Sequence, residues 1–222
     1  MRIFDPRFEF YTITDQRSAL GRSDEEVAYQ LIKGGATCLQ YRAKHVSARE
    51  QWNTAIELRR LTLNAGILFI INDRVDLALD CGADGVHLGQ DDLPIASARR
   101  LAKRADREDL LLGRSTHSFE QAAEAEKEGA NYIGYGPLFA TQTKENNVPP
   151  VGAASLKDIV RWVSIPVVAI GGIKLDQLDG VAATGAQHCA VVTALTGAKD
   201  IESTTRAYIA QWRQAKLALQ KT

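Results

Sequence analysis

Gly82-Ala83-Asp84-Gly85-Val86-His87-Leu88 is one of four places where a Gly-Ala pair closes a helix-like stretch and opens a short apolar run; the other pairs begin at Gly35, Gly129 and Gly185. The first two intervals are equal, 82 − 35 = 47 and 129 − 82 = 47, and the third, 185 − 129 = 56, is lengthened by an insertion rich in Pro and Asn. Glycine suits the left-handed residue that ends a helix, because without a Cβ it takes positive φ at no steric cost. The period therefore marks a repeated unit of strand, helix, strand, helix. Four such units make an eight-stranded barrel, so the predicted fold class is α/β, a single-domain (β/α)8 TIM barrel over residues 1–222. In that architecture chemistry sits where the strands end.

Short β-branched or aromatic runs bounded by Gly, Asn and Asp predict strands at Glu9–Thr14, Thr37–Arg42, Leu68–Ile71, Gly85–Leu88, Leu110–Gly113, Asn131–Tyr135, Val167–Ile170 and Cys189–Val192. The clearest helical periodicity covers Ala48–Leu63 and Ile201–Leu219. Ser23 ahead of Asp24, Glu25 and Glu26 reads as a capped helix start, and Ser47 with Glu50 as a capping box. Alternating helix and strand calls for a parallel sheet. No Gly-x-Gly-x-x-Gly follows the first strand and no Walker-type Gly-x-x-x-x-Gly-Lys occurs, which removes the usual support for a dinucleotide or nucleoside triphosphate site. The one long connection without periodicity, Pro137–Val151, is polar and turn-rich and is predicted to be an active-site lid.

The chain's 222 residues fall a little short of the barrel's usual size of about 250 but suffice for one core. Its 27 basic and 27 acidic residues cancel, so no global field recruits nucleic acid or an anionic membrane, and any anion site must be local. Met1–Phe10 carries Arg2, Asp5, Arg7 and Glu9 and lacks the apolar stretch of a signal peptide. Cys38, Cys81 and Cys189 are odd in number, far apart and without metal-ligand spacing, which reads as reduced, mostly buried cysteines in a cytoplasmic protein.

Polar residues collect at the predicted strand ends. In the second strand, alternation puts Gln40 and Arg42 on the face of Cys38, pointing into the barrel, and sends Leu39 and Tyr41 to the helix layer. A guanidinium there requires a partner, either an anionic ligand or a structural ion pair. The third strand ends in Asn72-Asp73, and the fourth is followed by Gly89-Gln90-Asp91-Asp92. Neighbouring strands would bring Asp73 near one of the later aspartates. Two carboxylates held together repel unless a cation lies between them, and Mg²⁺, which takes one or two protein carboxylates and completes its shell with water and phosphate oxygens, fits such a pair. A helix cap accounts for one of these acids but not both. The fifth strand leads into Ser115, Thr116 and His117, of which Ser115 is the better substrate contact. The lid carries Thr141, Thr143 and Lys144, and the last two strands end in Gly171-Gly172 and Val192-Thr193, where barrels of this kind bind phosphate. Two acids, three basic residues (Arg42, Lys44, Lys144) and a separate phosphate cradle imply two phosphate-bearing ligands, one of them metal-bound.

Taken in order, Gln40-x-Arg42-x-Lys44, Asn72-Asp73, Ala83-Asp84-Gly85-x-His87-x-Gly89-Gln90-x-Asp92, Gly113-x-Ser115, Gly136-Pro137 with Thr141-x-Thr143-Lys144, Gly152 and Ile170-Gly171-Gly172-Ile173 resemble the thiamine phosphate synthase family over nearly the whole chain. The resemblance implies a Mg²⁺-dependent transferase that joins hydroxymethylpyrimidine diphosphate to hydroxyethylthiazole phosphate and releases pyrophosphate. It implies diphosphate-substrate contacts from Gln40, Arg42, Lys44, Asn72, Ser115 and Lys144, with Lys44, Ser115 and Lys144 catalytic. Asp73 and Asp92 match the metal ligands, while Thr141, Thr143, Gly172, Val192 and Thr193 resemble thiazole phosphate contacts. The family also suggests homodimers. Ala43 stands where Glu is common, Thr193 where Ser is usual, and Arg114 is an unexpected charge beside Ser115. Rival readings are a thiazole tautomerase, which His117 would serve as a proton carrier; a non-catalytic thiamine phosphate sensor; and a sugar-phosphate isomerase on the same barrel. The paired acids and three cations weigh against each.

Overall fold

The computed structural model describes residues 8–141 and 149–219. Gly35, Gly82, Gly129 and Gly185 adopt φ of 96°, 66°, 89° and 91°, so each pair opens with the left-handed residue predicted of it. The repeat is not four whole units. Three lie between the pairs, and the fourth is split between the chain ends, its first half after Gly185 and its second before Gly35.

The strands are β1 (Phe10–Ile13), β2 (Cys38–Tyr41), β3 (Leu68–Asn72), β4 (Gly85–Leu88), β5 (Leu111–Thr116), β6 (Tyr132–Tyr135), β7 (Val167–Ile170) and β8 (His188–Val191). Each pairs in parallel with the next, and β8 pairs with β1 to close the barrel. Around it run α1 (Asp24–Lys33), α2 (Ala48–Ala65), α3 (Val75–Asp80), α4 (Ile95–Arg104), α5 (Phe119–Lys127), α6 (Gly152–Trp162), α7 (Leu178–Ala182), α8 (Thr193–Thr196) and α9 (Ile201–Leu219). The hydroxyls of Ser23 and Ser47 accept from the N–H groups of Glu26 and Glu50, each at 3.2 Å, satisfying donors that a helix start leaves without intrahelical acceptors. Among the described residues no helix is long and apolar enough to cross a membrane.

Strand bounds fall within one residue of expectation except in β5. That strand continues through Arg114, Ser115 and Thr116, which pair with Ile133, Gly134 and Tyr135 of β6. Of the polar residues read there as a strand end, Arg114 and Ser115 are strand interior and Thr116 closes the strand.

Alternation divides the core in two. Leu39, Tyr41, Phe69, Ile71, Val86, Leu112 and Ile133 face the helices, whereas Tyr11, Ile13, Cys38, Leu68, Ile70, Tyr132, Val168 and Ala190 fill the barrel. Phe8 plugs the lower end, edge-on to Tyr11 and to His188 with centroids 5.2 and 4.8 Å away. Tyrosines this large fit because glycines face them. A Cβ on Gly113 would lie 2.2 Å from Tyr132 Cζ and 2.6 Å from His87 Nδ1. All three cysteines are buried.

Candidate active site

The C-terminal ends of β1 to β5 converge on a charged rim. Thr14, just past β1, donates its N–H to the Gln40 carbonyl at 2.9 Å, and its hydroxyl accepts from the Arg42 N–H at 3.2 Å. That pairing carries Asp15 alongside Arg42, and the guanidinium reaches Asp15 Oδ1 at 2.8 Å with both side chains largely buried. Ser18 also donates to the Asp15 carboxylate, at 3.0 Å. The anion Arg42 requires is therefore supplied first by the protein. Asp15 has no part in the sequence reading, because its role exists only once β1 and β2 lie side by side.

Asp73 leaves β3 with φ of 64°, its N–H held by the His87 carbonyl at 2.8 Å. This left-handed turn swings its carboxylate over the mouth, where it pairs with Lys44. Asp92 arrives from the turn after β4, in which its Oδ2 accepts the Gly89 N–H at 2.6 Å. The two carboxyls meet. Burial, and then the contact with Asp92, push the Asp73 carboxyl above its ordinary range, while Lys44 opposes the shift. Two hard oxygen donors under mutual repulsion, open to solvent on one side, fit Mg²⁺ with the rest of its shell from water or phosphate. Among the described residues no cluster of three or more His, Cys, Asp or Glu side chains that could hold a metal occurs.

Below this rim runs a hydrogen-bonded chain that crosses the barrel. Ser115 Oγ lies 3.0 Å from His87 Nε2, and His87 Nδ1 lies 3.2 Å from the Tyr132 hydroxyl. Tyr132 meets the Tyr11 hydroxyl at 3.1 Å, and Tyr11 accepts from Gln40 Nε2 at 2.7 Å. Gln40 and Ser115, expected substrate contacts on opposite sides of the barrel, are thus oriented by one buried polar network. Burial pushes both tyrosines well above their ordinary range, so the chain carries neutral hydroxyls. His87 stands in the family motif without an assigned role, although its place between inward Gly85 and Gly89 is readable from alternation. Tyr11 and Tyr132 meet only because the barrel closes.

The glycines after β7 have a structural cause of their own. Gly171 and Gly172 take φ of 101° and 67°, and a Cβ on Gly172 would stand 2.6 Å from the Ala140 carbonyl oxygen. The segment after β6 packs there, with Leu138 and Phe139 donating to the Ile170 and Gly171 carbonyls at 2.9 and 3.0 Å. The first residues of the predicted lid are therefore anchored, Leu138 being fully buried, and Val151 N–H bonds the Pro137 carbonyl at 2.8 Å across the loop's root. Thr141 ends this described stretch; Thr143 and Lys144 lie outside the described residues. Val192 precedes and Thr193 opens the short α8 directly after β8, the strand paired with β7, while Asn72 closes β3 beside His87. His117 is turned from the interior chain, its Nδ1 against the Gly136 carbonyl and its N–H on Gln121 Oε1.

The family model described as Thiamine monophosphate synthase matches residues 10–195. A thiamine-phosphate synthase from Pelotomaculum thermopropionicum is 46% identical over 199 residues, covering 90% of this chain and 89% of that protein. One from Chloroflexus aurantiacus is also 46% identical, covering 90% of each. The solved thiamine phosphate pyrophosphorylase from Pyrococcus furiosus superposes with a TM-score of 0.85 at 38% identity, over 94% of this chain and 97% of that one. At 17% identity, 3-hexulose-6-phosphate synthase shares the fold with a TM-score of 0.69.

Proposed function

The chain belongs to the thiamine monophosphate synthase family and carries that family's transferase activity, thiamine-phosphate synthesis; from this premise we propose how its residues perform it. The substrates are hydroxymethylpyrimidine diphosphate and hydroxyethylthiazole phosphate, and the products are thiamine phosphate and pyrophosphate. What carries the proposal is the meeting of the Asp73 and Asp92 carboxyls beside Lys44 and Arg42 at the barrel mouth.

Asp73 and Asp92 would hold Mg²⁺, which supplies positive charge to the diphosphate as it departs. Lys44, already poised on Asp73, turns to the diphosphate oxygens. Ser115, fixed by His87, donates to the same anion or to the pyrimidine beside it. Gln40 spends its N–H on Tyr11 and keeps its carbonyl oxygen for a donor on the pyrimidine ring. The bond from the pyrimidine methylene to the diphosphate oxygen breaks with both electrons on oxygen. The electron-rich aminopyrimidine spreads the resulting positive charge, and the thiazole nitrogen supplies the pair for the new carbon–nitrogen bond. No protein nucleophile is needed. Arg42 and Asn72 complete the diphosphate contacts and Lys144 joins them from the loop. Thr141, Thr143 and the backbone at Gly172, Val192 and Thr193 take the thiazole phosphate. For that last group the support is the short helix α8 opening directly after β8, since the first N–H groups of a helix lack intrahelical acceptors.

The test mixes both substrates with Mg²⁺ and follows pyrophosphate release. Turnover should require both substrates and stop on chelation. Turnover that persists in a chelator would remove the metal from the proposal, and pyrophosphate release without the thiazole phosphate would remove the coupling.

A further inference from the structure

Arg114, read in the sequence as an unexpected charge beside Ser115, faces away from the barrel interior on β5, opposite Leu88 in register. Its guanidinium touches no carboxylate among the described residues. Both of its contacts are to backbone: one amino group donates to the Leu93 carbonyl at 3.1 Å and the other to the Gln90 carbonyl at 3.2 Å. These two carbonyls bracket Asp92. The same turn is gripped a second time, because the Gln90 side chain donates to the Ser115 carbonyl. It is closed on itself by the Asp92 N–H on the Gly89 carbonyl at 3.2 Å and the Gly89 N–H on Asp92 Oδ2 at 2.6 Å. A Cβ on Gly89 would lie 2.9 Å from that carboxylate oxygen, so a side chain there would displace the carboxylate.

We propose that Arg114 is a positioning residue that clamps the Gly89–Leu93 turn onto β5 and so presents the Asp92 carboxylate to a divalent cation shared with Asp73. The physical reason is the fork. A planar guanidinium spans two acceptors at fixed separation, whereas an ammonium is a single point donor on a flexible stem. Holding the turn in advance spares the cation the entropy of ordering it. The inference rests on the metal assignment to Asp73 and Asp92.

The test uses the full chain with Mn²⁺ alone as probe, titrated and read by the electron paramagnetic resonance of the free ion, alongside amide exchange. In Arg114→Met, exchange at residues 89–93 should quicken while the barrel strands keep their protection, and Mn²⁺ affinity should fall about tenfold. Arg114→Lys should recover less than half of that loss on a logarithmic scale. Full recovery by Lys would assign the effect to charge and overturn the clamp. Equal Mn²⁺ affinity in Arg114→Met and the parent would overturn it too, whatever the turn does. No Mn²⁺ binding by the parent is a different result, which overturns the metal assignment and the inference with it.

Discussion

Asp73→Asn should lower pyrophosphate release by at least about 100-fold, the scale of removing a preorganised charge from the transition state, and leave the protein as stable as before or more so. Asn is the substitution to make because residue 73 has φ of 64°, a region that Asn tolerates and Ala resists. Shape is kept and charge is lost. The parent carboxyl is raised by burial and by Asp92, so the folded protein holds its proton more tightly than the unfolded chain. That preference stabilises the fold below the unfolded-chain value, and the stabilisation is lost as pH rises through the raised folded value. Above that value the ionised carboxylate is a liability to the fold, partly offset by Lys44, and an uncharged residue in its place relieves it. Turnover and urea unfolding of the same preparation check both halves. An Asp73→Asn enzyme that keeps more than a tenth of its activity would remove Asp73 from the metal site; one that fails to fold would mean that the carboxylate is chiefly structural.

Gly113→Ala should cost about 1–3 kcal/mol of stability, the range for overpacking a filled core, and lower turnover about tenfold or more by breaking the polar chain under the site. The added Cβ would lie 2.2 Å from Tyr132 Cζ and 2.4 Å from its hydroxyl oxygen. Relief requires the ring to swing away, and its hydroxyl then leaves both His87 and Tyr11. The consequence reaches Ser115 through His87 and Gln40 through Tyr11. Gly134→Ala is the control, since its nearest neighbour would be His87 Cε1 at 3.2 Å, a contact that a small ring shift accommodates. Unfolding curves and kcat for the two variants decide the matter. A Gly113→Ala enzyme that loses stability yet keeps the parent kcat would show that the interior chain does not position the site.

These residues also show what a sequence can and cannot disclose here. The Gly-Ala period predicts the barrel because left-handed φ after a helix is a local requirement, and all four glycines meet it. Inward placement of Gln40 is legible for the same kind of reason, since alternation along a strand is local. Ser115 is harder to read. Its polar neighbours suggest a loop, and only pairing with β6 makes it strand. The Arg42 partner, Asp15, and the Tyr11–Tyr132 bridge depend on which strands become neighbours or face each other across the closed barrel. Gly171 and Gly172 are required by the backbone packed on them as well as by any phosphate. Arg114 is visible in the sequence as a charge beside Ser115, but its contacts are set by two carbonyls on another loop.

The meeting of Asp73 and Asp92 is best tested by crystals grown with Mn²⁺ and pyrophosphate and measured for anomalous scattering. A peak about 2–2.5 Å from an oxygen of each carboxylate, with pyrophosphate oxygens completing the shell, is the predicted result. A peak held by pyrophosphate and Lys44's surroundings with either carboxylate turned away would contradict it.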